Sequence, residues 1–208
     1  MDNYFFDLIG GTLGNDYISQ KVQEKLEEKY KEQFESLMIG GREFNSESIK
    51  LFVRPKNNKS LIFNVSIDSD ENIEDDYYYR KTCNELEMFT ENNLKQNGIT
   101  AISRVTMIKL NTLLEDKSLN DLIKENGEVS FLSYIVLRGT EEMLKNSFDN
   151  FFVSIKNNYK KIKLNTYVVY LSNEDYDKFY EENCFQVKFT ADTFSTYKSA
   201  NIKMYILE

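Results

Sequence analysis

The sequence predicts an α+β fold: a mixed, mainly antiparallel sheet of about seven strands, with helices packed on one face. Three observations carry that expectation. Ile49, Leu51 and Val53, then Leu61, Phe63, Val65 and Ile67, alternate with polar neighbours, the period-2 pattern of half-buried strands. Leu144, Phe148, Phe151, Phe152, Ile155 and Tyr159 recur at helical spacing and form an aromatic stripe wide enough to lie on a sheet. Strands are joined both by hairpins and by helices, in the order α-ββ-α-β-α-β-α-β-α-β-β, which favours α+β over a purely parallel arrangement.

Taken in order, the elements follow from local signals. Tyr4, Phe5, Phe6, Leu8 and Ile9 are too apolar to stay in water, so residues 1–15 read as an N-terminal docking segment. Gly10, Gly11 and Gly14 break the chain, but no G-K-[ST] follows, so a hinge is favoured over a phosphate loop. Asn15 or Asp16 caps a first helix over about 17–38, with Ile18, Val22, Leu26, Tyr30, Phe34 and Leu37 on one stripe and Gly40-Gly41 ending it. The two strands around Pro55–Ser60 form a hairpin. Six carboxylates follow it (Asp68, Asp70, Glu71, Glu74, Asp75 and Asp76) and open a helix that runs to about Gln96. Acid at a helix N-terminus favours the macrodipole and caps free N–H groups.

Ile99–Leu110 reads as a third strand. Ser118 caps a short helix that stops at Gly127. Val129–Arg138 is apolar on both faces, as a central strand is, and Thr140 leads into the helix of the aromatic stripe. Ile162–Leu171 is a fifth strand, and Ser172 with Asp175 resembles a capping box for a helix bearing Tyr176, Phe179 and Tyr180. Phe185, Val187, Phe189 and Ala191 alternate as a sixth strand, and Ile202, Met204 and Ile206 mark a seventh. The sheet face opposite the helices carries Lys50, Phe52, Arg54, Asn64, Ser66, Tyr167, Lys188 and Lys203, an open polar face suited to a partner or simply to water.

Composition narrows the class. With 208 residues, 41% apolar and 14% aromatic, the chain builds a core, and no Gly/Ser/Pro-rich linker divides it, so one α+β domain over 1–208 is expected. A net charge of −8 disfavours nucleic acid and anionic membrane surfaces and suits a basic protein partner or a cation. Histidine is absent, which removes His-based catalytic triads and His-ligated zinc or haem. Cys83 and Cys184 form no C-x-x-C motif; one disulfide and two buried thiols are both open. No stretch has the roughly 18–20 apolar residues of a membrane span. The first residues lack the basic region of a signal peptide, so no membrane anchor is visible. As written the chain reads as cytoplasmic; it would be extracytoplasmic and membrane-associated if an anchor preceded it.

Against the EF-hand template, Asp68, Asp70 and Asn72 fill positions one, three and five. Ile73 stands where glycine is needed and Tyr79 where a bidentate glutamate is needed, so no metal site is assigned. Among 34 acidic residues some carboxylate pair always looks suitable, and no S-x-x-K or G-x-S-x-G pattern occurs. The expectation is a protein that is no enzyme and carries no cofactor. Tyr77, Tyr78 and Tyr79 adjoin the acid block; on a helix either one of them stays exposed or two are buried and the third half-exposed. Exposed tyrosine beside carboxylate suits a basic protein surface, which makes Asp68, Asp70, Glu71, Glu74, Asp75, Asp76, Tyr77 and Tyr78 the candidate partner-binding residues.

The segments EEKYKEQFESLMIGGR, LFVRPKNNKSLIFNVSIDSD and EDDYYYRKTCNELE, over about residues 25–90, resemble a group of uncharacterised envelope proteins and lipoproteins of low-GC Gram-positive bacteria. In size and acidity the chain also resembles immunity proteins that neutralise toxins exported by such bacteria. The second resemblance implies a non-enzymatic protein that occludes the basic surface of a cognate toxin. The first implies an envelope-associated structural or ligand-binding domain; in that alternative the many oxygens of the acid block leave weak Ca²⁺ binding open.

Overall fold

The computed structural model describes residues 12–42, 48–108, 113, 115–159 and 161–207, with backbone alone for 12–14, 41–42 and 142–149. The expected docking segment therefore lies outside the described residues up to residue 11, as do the end of the expected third strand at Leu110 and the side chains of Leu144 and Phe148. The fold is α+β, but among the described residues the strands form two four-stranded sheets instead of one of seven. The chain divides into two compact units, Met1–Arg80 and Lys81–Glu208. Among the described residues no helix is long and apolar enough to cross a membrane.

The described residues of unit 1 form α1 (Thr12–Tyr30), β1 (Phe34–Arg42), β2 (Ile49–Pro55), β3 (Phe63–Ile67) and β4 (Ile73–Asp75). These strands form an antiparallel meander in sequence order. Alternation along β2 and β3 places Ile49, Leu51, Val53, Phe63, Val65 and Ile67 inward, where Ile18, Val22 and Leu26 of α1 cover them. Phe52, Arg54, Asn64 and Ser66 are half-buried on the opposite face.

The first helix is shorter than expected, and Asn15 and Asp16 lie inside it, not at its cap. It stops at Tyr30 because Lys31 takes a left-handed conformation, φ 57°, with its N–H bonded to Glu27. What looked like the last turn of that helix is β1. Register shifts between Ser36 and Met38 and between Ile39 and Gly41 interrupt its alternation, which is why Phe34 and Leu37 mimic a helical stripe. Gly40 sits within one of these shifts, where a Cβ would approach the Phe52 ring to 3.1 Å.

Helix α2 (Tyr77–Gln96) starts in unit 1 and continues into unit 2. Unit 2 then contains β5 (Ala101–Met107), α3 (Leu119–Asn126), β6 (Val129–Arg138), α4 (Glu141–Asn158), β7 (Ile162–Leu171), α5 (Asn173–Asn183), a 3₁₀ turn (Ala191–Phe194) and β8 (Asn201–Leu207). The sheet order is β5-β6-β7-β8, antiparallel, parallel, antiparallel. The expected cap at Ser118 and stop at Gly127 are both present on α3, and Ser118 forms a capping box with Asp121 that was not expected.

One face of this sheet carries Val105, Phe131, Ile135, Leu164 and Val168, all fully buried or nearly so. Phe152 of α4 meets this face at Tyr205, with ring centroids 5.5 Å apart. The other face carries Ile102, Val136 and Val169 under Tyr176 and Phe179 of α5, together with Phe189, Phe194 and Tyr197. No strand forms over Phe185–Ala191. Phe189 turns onto Phe179 and Phe194, with ring centroids 5.1 and 5.9 Å away, and Arg104 holds the Cys184 and Gln186 carbonyls. The alternation there reflects a loop folded over the aromatic cluster. Cys83 and Cys184 are free thiols.

Ser172 caps α5, its Oγ accepting the Asp175 N–H. Asp175 does not return that bond; its carboxylate accepts the Ser199 hydroxyl and N–H, which fastens the segment before β8. Those bonds hold the Asp175 carboxyl below its ordinary value, the Ser199 hydroxyl first. A depressed folded-state value stabilises the fold fully above the unfolded value of about 4 and loses that contribution as pH falls through the folded one. Asp175→Asn is therefore expected to lower the melting temperature at neutral pH and to flatten its fall between about pH 5 and 2. Melting curves across that range check this; parallel losses in both proteins would contradict it.

Candidate functional site

Building the acid block outward from its residues separates two kinds of carboxylate. Asp68 closes the β3–β4 turn: Oδ1 accepts the N–H groups of Asp70 (3.0 Å) and Asn72 (2.8 Å), and Oδ2 accepts Asn72 Nδ2 (3.0 Å). The Asn72 side chain, above all, keeps its carboxyl below the usual range. Glu71 sits at φ 62° and accepts the Tyr17 hydroxyl at 2.8 Å.

Asp75 is almost fully buried, its side chain 1% exposed. Oδ1 accepts the Tyr30 hydroxyl (2.6 Å) and the Tyr77 N–H (3.1 Å), while Oδ2 takes Lys29 Nζ at 2.8 Å. It thus joins α1 to the start of α2, and burial with this bond raises the Tyr30 hydroxyl pKa. Asp76 accepts the Asn64 N–H at 2.7 Å and Asn64 Nδ2 at 2.8 Å, and burial pushes its carboxyl up.

The tyrosines follow the same division. Tyr77 is buried, packs against Phe34 and Phe63, and donates its hydroxyl to Glu32 at 2.9 Å. Tyr79 is buried too, and Tyr78 is half-buried against Tyr30. Of the eight candidate residues, Asp68, Asp75, Asp76 and Tyr77 are engaged in the fold. Asp70 and Glu74 are exposed on the hairpin, and Glu71 and Tyr78 are partly so. Among the described residues no group of three or more potential ligands gathers to hold a metal.

The charge is unevenly divided. Unit 1 holds 16 acidic residues against 10 lysines and arginines, a net of −6; unit 2 holds 18 against 16, a net of −2. Beside the hairpin, a shallow cleft of about 500 Å³ is lined by Lys25, Glu28, Lys29, Glu71, Asn72 and Ile73, with both signs present. A second crevice, about 520 Å³, opens at the carboxyl ends of the parallel strands β6 and β7, where α/β sheets often hold ligands. Its charges are already matched: Arg138 pairs with Asp177, and Glu141 with Lys203 at 3.4 Å.

Two features had weak sequence signals. Glu87 and Glu91 of α2 accept the outward N–H groups of Val105 (2.7 Å) and Ser103 (2.8 Å), closing the β5 edge with carboxylates. Their spacing of four on one helix face was the available clue. The exposure of Ile202, Met204 and Ile206 (40%, 51% and 62%) was hidden, because their alternation reads as an inward face.

No protein-family model matches the chain, and neither does any curated protein. The fold is similar to the crystal structure of a DUF5037 family protein from Ruminococcus gnavus ATCC 29149, over 91% of this chain and 90% of that one, with a TM-score of 0.64 and 18% identity. At that identity the likeness is one of fold.

Proposed function

We propose that the protein is a non-enzymatic binding protein of the immunity type, which neutralises a cognate bacterial toxin by covering a basic surface of it with unit 1. The observation that supports this is the concentration of uncompensated negative charge in unit 1, with Asp70 and Glu74 exposed at its hairpin. Such a field speeds encounter with a basic protein and disfavours acidic ones. Asp70, Glu71, Glu74 and Tyr78 are the contact residues; Asp68, Asp75, Asp76 and Tyr77 hold the surface that presents them.

The test is affinity capture from the native host, followed by co-expression of any captured toxin with this chain. Protection of the cells by the wild-type chain, lost in Asp70→Lys/Glu74→Lys, is the expected result. Both side chains are exposed, so that variant should keep its stability within about 0.5 kcal/mol. No captured protein and no protection would sink the proposal.

A further inference from the structure

The two edges of the unit 2 sheet are finished differently. The β5 edge is closed by the Glu87 and Glu91 carboxylates. Among the described residues, β8 is hydrogen-bonded to a strand on one side alone, that of β7. It pairs with β7 in an unbroken register, contains no proline, and turns Lys203 to the covered face, where it meets Glu141. Natural edge strands are usually blunted by bulges, prolines or charges; β8 has no bulge and no proline, and its one lysine, Lys203, is 46% exposed on the face of Glu141. Instead Ile202, Met204 and Ile206 stand exposed in a row, with Met204 beside the half-buried Tyr167.

We propose that β8 pairs antiparallel with β8 of a second copy of this chain, about a twofold axis at Met204, making one continuous eight-stranded sheet. That axis sets Met204 against its mate, Ile202 against Ile206, and Lys203 against Tyr205, so that every exposed apolar residue meets another. Moving the axis to Lys203 would oppose two lysines directly. The occupant follows from the strand itself, whose exposed apolar row is matched by its own reverse, as a twofold contact requires. This strand belongs to unit 2 and the acidic hairpin to unit 1.

Sedimentation equilibrium of the full chain, from low micromolar to submillimolar concentration, is expected to show the mass rising to twice that of one chain. Ile206→Lys should weaken the dimer by about tenfold or more, since an outward edge lysine meets the apolar row of its mate. Ile202→Lys provides the same test if the first variant fails to fold, as judged by circular dichroism. In a Cys184→Ala chain, Met204→Cys should cross-link to itself on mild oxidation, whereas Ile202→Cys should cross-link to Ile206→Cys and not to itself. A monomer at every concentration overturns the proposal, and so does a dimer indifferent to both lysines. A lysine-sensitive dimer without the Met204→Cys cross-link overturns the Met204 axis.

Discussion

Replacing Phe34 with alanine is expected to destabilise unit 1 by about 3–5 kcal/mol, the largest effect of any single substitution considered. Phe34 is fully buried and meets three rings, Tyr30 at 6.0 Å, Phe63 at 5.7 Å and Tyr77 at 5.6 Å. Truncation loses the transfer free energy of the ring and leaves a cavity that the sheet cannot close, because those rings are held by their own partners: Tyr30 by Asp75 and Tyr77 by Glu32. The chain has no tryptophan, so urea unfolding is best followed by tyrosine fluorescence and circular dichroism. A loss under about 1 kcal/mol, typical of a surface position, would contradict the placement of Phe34 at the centre of this core.

The second large effect divides the acid block. Asp75→Ala is expected to cost about 2–4 kcal/mol, because it strands the Tyr30 hydroxyl and the Tyr77 N–H and leaves Lys29 without its carboxylate. Asp70→Ala, at an exposed position of the same hairpin, should change stability by no more than about 0.5 kcal/mol. The two variants differ by five positions in sequence and by function in kind. Equal effects on stability would mean that the block does not divide into supporting and presenting carboxylates.

How far the sequence was legible depends on what each residue answers to. The β2–β3 hairpin was plain because its alternation runs without a bulge, so chain period and burial agree. The two register shifts of β1 move its apolar residues out of phase and produce a helical spacing. Phe185–Ala191 alternated for a different reason: Phe189 answers to the aromatic cluster, not to a neighbouring strand. The division of one expected sheet into two was not legible, since pairing between distant strands leaves no mark on local period.

The candidate site was legible as a place and not as a set of roles. Six carboxylates near one turn announced themselves, but what each does depends on partners far along the chain. Tyr30 is 45 residues from Asp75, and Tyr17 is 54 from Glu71. The bonds that Asp68 makes within the turn were likewise not legible from its place in the acid block. Edge protection of β5 by Glu87 and Glu91 belongs to the same class, a tertiary role for residues that look like an ordinary charged helix face.

The central claim, recognition of a basic protein by the acidic unit, is tested most directly by measuring partner association at two ionic strengths. Wild type and Asp70→Lys/Glu74→Lys would be compared at about 50 mM and about 500 mM salt, where the Debye length falls from well over 10 Å to under 5 Å. The expected result is a wild-type association rate that drops about tenfold or more at the higher salt, and a variant that is slow at both. Equal rates for the two proteins, or a wild-type rate indifferent to salt, would contradict it.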